Sequence, residues 1–309
     1  VGLCKGFFFS YKSITFVPKY HLLKEKLINW VLFTILALIW GSSFLLMKIG
    51  MQSLSPYHVA ALRILSAGFV LLPFAVKAFK QIPKQKLGVV IVSGLLGSFF
   101  PAFLFCIAET QLSSALTGML NSLTPLCAVV IGVLFFQLKP KPQKVVGIVI
   151  GLVGLFFLVA PNGRLDVGNF FYVSLVLLAT VFYAVNVNLV GRHMQGISSI
   201  NIAAIAFIFL IIPCAIILAF TGYFAMPLSN TELIKSTLAA CVLGVVGTAF
   251  ASVLFYRLVK RAGALFAAMV TYGIPFIAVA WGYVYGETIS LFQIGCLGII
   301  LSGVYISNR

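Results

Sequence analysis

The sequence predicts an all-α membrane protein whose ten transmembrane helices form two inverted five-helix repeats. Three observations carry that expectation. The chain of 309 residues is 62% hydrophobic and only 8% charged, against about 25% charged in a soluble domain, so most of its surface must face lipid. Long apolar runs, each near the ~20 residues that a bilayer demands, alternate with polar breaks. The two halves of the chain also align with each other at an offset of 150 residues.

The runs cover 30–49, 57–79, 87–108, 113–136, 143–160, 168–190, 199–220, 236–256, 263–285 and 290–307. They are continuous, as in Trp30–Trp40 and Val145–Ala160, whereas a membrane β-barrel would show alternating segments of about ten residues. The 27 glycines and 12 prolines suit membrane helices, which need close approach and local kinks. Residues 1–29 read as a basic cytoplasmic tail, because the apolar stretch Gly6–Phe9 is too short for a signal-peptide core. The first repeat is then 30–160 and the second 161–309.

Charge tests the count. With the N-terminus in the cytoplasm, 17 of the 21 Lys and Arg fall on the cytoplasmic side. Lys48, Arg164 and Lys235 fall outside, and Arg63 alone lies within a span. Cytoplasmic Lys and Arg fix orientation, so this split predicts ten spans with both termini inside. The net charge of +16 follows the loops and does not point to nucleic acid. Six cysteines without a CxxC pair read as small apolar residues, and no metal site or cofactor motif is expected.

The internal duplication gives the architecture. Residues 92–137 align without gaps to 242–287, and Gly94, Gly97, Phe105, Met119, Pro125 and Gly132 recur as Gly244, Gly247, Phe255, Met269, Pro275 and Gly282. Five spans per copy is an odd number, so the second copy enters the membrane from the opposite side. Inverted repeats of this kind characterise secondary transporters, which hold substrate near the midplane between the repeats.

The stretches Ile39–Phe44 (IWGSSF), Ser55–Gly68 (SPYHVAALRILSAG), Asn121–Pro125 (NSLTP) and Tyr285–Ser290 (YGETIS) together resemble the EamA type of the drug/metabolite transporter superfamily. The resemblance runs over roughly 30–307. One departure is that Phe136 and Gln137 stand where the second repeat has Gly286 and Glu287. The resemblance implies a ten-helix carrier of small metabolites, often an exporter of amino acids or related compounds, in a bacterial inner membrane.

Candidate binding residues follow from the cost of burying polar groups in hydrocarbon. Trp40 and Ser43 sit mid-span in the first helix, and Tyr183, Asn186 and Asn188 in the sixth. Asn121 and Thr124 precede Pro125, and Thr271 and Tyr272 precede Pro275. Each proline lacks an N–H, which frees the carbonyl four residues earlier, at Asn121 or Thr271, as a ligand. Arg63 is expected to pair with Glu109 near the outer face, with direct substrate contact as the other reading. None of the five acids falls at a helix midpoint, which disfavours coupling through a central carboxylate. Gly147, Gly151 and Gly154, with Gly295, Gly298 and Gly303, read as close-packing positions.

An enzyme is not expected, since HExxH, P-loop and GxSxG motifs are all absent. The expected partners are a small-molecule substrate and the bilayer, with the protein a monomer or weak homodimer. Two alternatives stand beside the carrier of small metabolites. One is a carrier of nucleotide-sugars or lipid-linked sugars, and the other a membrane sensor or assembly factor on the same fold.

Overall fold

The structure, a computed structural model, describes residues 19–137, 142–159, 167–227 and 230–307. Most of the basic tail, Lys139 and Lys141, and the loop carrying Arg164 lie outside those residues. Among the described residues every regular element is a helix. In chain order they are α1 (Lys19–Gly50), α2 (Pro56–Gln81), α3 (Lys84–Gly94), α4 (Phe100–Ala108), α5 (Ser114–Asn121), α6 (Thr124–Phe136), α7 (Pro142–Val159), α8 (Val167–His193), α9 (Ser199–Phe220), α10 (Thr231–Gly244), α11 (Ala251–Ala268), α12 (Ile274–Val284) and α13 (Leu291–Ser307).

Local chemistry sets the boundaries. Ser55 caps α2 by accepting the His58 N–H at 3.2 Å, and Pro56 at the first helical position has its φ pre-set for the turn. Ser113 caps α5 the same way, accepting the Leu116 N–H at 3.1 Å. The paired prolines act as predicted at the level of the backbone. Pro125 and Pro275 each stand in the first turn of a new helix, so α5 hands over to α6, and a 3-10 turn at Met269–Tyr272 hands over to α12.

Among the described residues, seven helical stretches are long and apolar enough to cross a membrane, accompanied by two shorter apolar helices, Val145–Val159 and Leu291–Ser307. One stretch, Thr231–Val284, spans 54 residues. A straight helix of that length would measure about 80 Å, far beyond a hydrocarbon core of about 30 Å. Gly263 interrupts it with φ 87° and ψ 162°, a conformation that glycine reaches without a Cβ penalty.

Helices of one half pack against helices of the other, most extensively α2 on α9 and α7 on α13. Both pairs run antiparallel. His58, at the start of α2, lies with its Nε2 3.2 Å from the Thr221 carbonyl just past α9, while Asn201, at the start of α9, donates to Gln81 Oε1 at 2.8 Å. In the other pair, Gly147 faces Gly303 and Ser307, and Gly154 faces Cys296 and Ile300. Among the six glycines chosen for packing, Gly147, Gly151, Gly154 and Gly303 make this backbone contact, and Gly151 also abuts Leu126. Gly295 and Gly298 face open space.

Candidate functional site

Two helices widen in the middle of the bundle. Leu95–Phe99, between α3 and α4, and Val245–Phe250, between α10 and α11, are π-helical turns. Each inserts an extra residue into the ladder and re-aims the side chains around it. They stand 150 residues apart, the offset of the duplication. Ser98 and Thr248 sit at matching places in the two turns, and both border a central cavity of about 80 Å³.

The halves build that cavity crosswise. Asn186 of α8 lies over Gly97, where an added Cβ would come within 2.2 Å of its Nδ2. Ser43 of α1 lies over Gly247, where a Cβ would come within 2.9 Å of its Oγ. Asn186 Oδ1 accepts from Ser93 Oγ at 2.5 Å, and the buried Tyr256 hydroxyl reaches both. On the opposite wall Trp40 Nε1 donates to the Gly247 carbonyl at 3.0 Å, and its ring stands 5.2 Å from Phe255. Phe105, the repeat counterpart of Phe255, stacks on Tyr183 at 5.9 Å.

Seven of the nine residues chosen from the sequence border this cavity: Trp40, Ser43, Asn121, Thr124, Tyr183, Asn186 and Thr271. Two do not. Asn188 is turned away and donates through Nδ2 to the carbonyls of Ala128 (3.1 Å) and Ala184 (2.8 Å), joining α8 to α6. Tyr272 is half-buried outside the lining. The freed carbonyl at Asn121 is also occupied, since Thr124 Oγ1 donates to it at 2.8 Å. The Thr271 hydroxyl turns back to the Ala268 carbonyl at 2.9 Å. The Thr124 hydroxyl therefore repairs its break locally, and the Thr271 hydroxyl satisfies itself on a neighbouring carbonyl, as a buried polar group must when water is absent.

The expected Arg63–Glu109 pair does not form. Arg63 Nε donates to Thr248 Oγ1 at 2.6 Å, Nη1 lies 3.9 Å from Met47 Sδ, and the Tyr183 hydroxyl is within hydrogen-bonding reach. The π turn explains the change of partner, because it swings Thr248 onto the guanidinium while its hydroxyl also donates to the Leu243 carbonyl. Glu109 caps α4 in the turn before α5, 1% exposed, and neither carboxylate oxygen has a hydrogen-bond partner. Burial pushes its carboxyl well above the usual carboxylate range, with Lys48 pulling the other way. Close by, Glu287 of the second half accepts the Ser114 and Ala115 N–H groups at 2.8 and 3.0 Å, placing an anion on the N-terminus of α5.

The profile of the EamA-like transporter family matches residues 28–160 and again 170–309. The chain belongs to that family. Among its EamA-like relatives is a protein of Escherichia coli K12 named as the uncharacterized inner membrane transporter YedA, 26% identical over 88% of this chain and 87% of its own. A second E. coli protein, named as a probable amino-acid metabolite efflux pump, is 26% identical over 130 residues, 42% of each chain. A solved crystal structure matches the EamA-like fold with a TM-score of 0.62 at 18% identity, over 92% of this chain and 97% of its own. The protein is thus an integral membrane transporter of the drug/metabolite type.

Sequence reasoning missed Ser98, Thr248, Ser252, Phe105, Phe255 and Tyr256 in the lining. A signal for two of them was in hand. Gly97/Gly247 and Phe105/Phe255 are identical pairs at the repeat offset, and all four border the cavity.

Proposed function

We propose that this protein is a secondary transporter that exports small polar metabolites of the amino-acid class, by alternating access around the central cavity. The observation that carries the reading is the crosswise construction. Asn186 of the second half seats on the π turn of the first, and Ser43 of the first half seats on the π turn of the second. Rocking one half against the other would open and close the space between them.

Further features support the reading. Counting the stretch broken at Gly263 as two spans, and adding the two shorter apolar helices, makes ten. The antiparallel α2 and α9 fit halves of opposite entry. The cavity of about 80 Å³ has room for roughly half a dozen water-sized groups, which suits an amino-acid-sized solute and disfavours a nucleotide-sugar. The name of the E. coli efflux pump lends the substrate class. The split of basic residues supports an inward N-terminus.

Proteoliposomes preloaded with a labelled amino-acid mixture test the proposal. The wild type should release label faster than protein-free vesicles, and Asn186→Ala should slow release several-fold while inserting normally. Wild-type rates in Asn186→Ala would remove the cavity assignment. No release by the wild type would favour a non-transporting sensor or assembly factor. For orientation, single cysteines on a Cys-free background should be labelled from outside at position 52 and not at 84, and the reverse pattern would invert the topology.

A further inference from the structure

Arg63 is 8% exposed, and among the described residues it is the one Asp, Glu, Lys or Arg that borders the cavity. Its partners are all neutral: the Thr248 hydroxyl, the Met47 thioether and the Tyr183 hydroxyl. The ion pairs among the described residues are Lys235–Glu232 and Arg261–Glu25, so no carboxylate among the described residues lies within salt-bridge distance of it. A guanidinium has five N–H donors in a planar fork. Here Nε has a full acceptor, Nη1 lies by a thioether, a weak one, and the Tyr183 hydroxyl takes one donor, which leaves donors of the fork to spare. An intramembrane cation in that position has no contacting ion-pair partner among the described residues, and the buried Glu109 acts on it only at longer range.

The second half supplies an internal control for a purely structural role. Gly94 and Gly244 are a repeat pair, and each packs against a backbone carbonyl of the opposite half. A Cβ on Gly244 would lie 2.2 Å from the Arg63 carbonyl oxygen, and a Cβ on Gly94 would lie 2.7 Å from that of Ala206. Ala206 therefore fills the place that Arg63 fills across the cavity, and it does so fully buried. The packing job needs no charge and no long side chain. The guanidinium is an addition to one wall.

We propose that Arg63 anchors the carboxylate of the substrate, so that this carrier takes small monocarboxylates with an apolar body and does not require an amino group. The fork of Nη1 and Nη2 matches a carboxylate in a bidentate pair. Phe44, Phe105 and Phe255 offer an apolar wall to the rest of the molecule. An ammonium group would meet no acid among the described residues of the lining, so amino acids and their 2-oxo acids should be held alike. The inference rests on the cavity being the substrate site, and it deepens that reading by naming the group recognised.

The test uses purified full-length protein in detergent and four probes of one shape: valine, its 2-oxo acid, valinamide and isobutylamine. Sodium chloride and sodium phosphate at matched ionic strength serve as anion controls. A ligand of the folded state raises the melting temperature. Valine and the 2-oxo acid should each raise it by about 2–4 °C, and the amide, the amine and the inorganic salts should not. Arg63→Ala should fold, since Ala206 serves the same packing role and Thr248 keeps its bond to Leu243. It should lose the carboxylate shift, while Arg63→Lys should keep part of it. The proposal fails if valinamide or isobutylamine stabilises as well as the carboxylates, if the salts do so, if Arg63→Ala retains the shift, or if neither carboxylate produces one. The wild-type comparison decides even if Arg63→Ala does not fold. Stabilisation by the amine alone would leave the transport reading standing and remove only this inference.

Discussion

The two walls of the cavity share a plan and differ in charge. On one, Ser43 lies over Gly247, Gly244 abuts the carbonyl of Arg63, and Thr248 receives the guanidinium. On the other, Asn186 lies over Gly97, Gly94 abuts the carbonyl of Ala206, and Ser98 stands in the place of Thr248. What the walls share is backbone approach through glycine and a π turn that opens space. What they do not share is a charge, since Arg63 stands on one wall where Ala206 stands on the other. The difference separates scaffold from specificity: close packing is built twice, and the charge once.

The largest effect should come from disturbing the shared scaffold. A Cβ on Gly244 would lie 1.9 Å from Ser66 Oγ and 2.2 Å from a backbone oxygen, which cannot yield as a side chain can. Gly244→Ala should cost about 1–3 kcal/mol, and Gly94→Ala, with its nearest atom at 2.7 Å, somewhat less. Gly88, whose added Cβ would meet nothing within 4 Å, is the control, and Gly88→Ala should stabilise α3 by about 0.5–1 kcal/mol. Thermal unfolding in detergent ranks the three. Equal stability of Gly244→Ala and wild type would break the idea of crosswise packing.

A middle-sized effect distinguishes the two asparagines of α8. Asn188→Ala removes two hydrogen bonds to backbone carbonyls and should cost roughly 1–2 kcal/mol, with transport per folded molecule unchanged. A loss of transport at full stability would place Asn188 with the cavity.

The last effect concerns Glu109, another buried ionisable group. Its folded-state pKa is raised by burial, so the folded protein binds that proton more tightly than the unfolded chain does. Stability should then fall as pH rises from the unfolded carboxylate value of about 4.3 through the raised folded value, and level off above it. Glu109→Gln should flatten this slope. An unchanged slope would mean that another group sets it.

The all-helical membrane fold was legible because its causes are periodic and compositional. Lipid-facing runs, loop charges and the 150-residue repeat are all one-dimensional signals. Much of the cavity was legible through the cost of burying polar groups, which drew attention to Asn121, Asn186 and their neighbours. The two misplaced residues carried a warning in their spacing. Asn186 and Asn188 are two apart, about 200° around a helix, and cannot face one cavity together. Thr271 and Tyr272 are adjacent and diverge for the same reason. The π turns were not legible, because a single inserted residue leaves the apolar pattern intact while it rotates everything after it. That rotation gave Arg63 its partner in Thr248, where proximity to one membrane face had suggested Glu109.

The central claim, that substrate passes through the space between the π turns, has a direct measurement. Single cysteines at Ser98 and, as a control on the exposed side of α13, at Ser302 can be placed on a Cys-free background and reconstituted in vesicles. A membrane-permeant thiol reagent should block transport by Ser98→Cys, transported substrate should slow that block, and Ser302→Cys should be insensitive. Continued transport by fully modified Ser98→Cys, or a block that substrate does not slow, would contradict the claim.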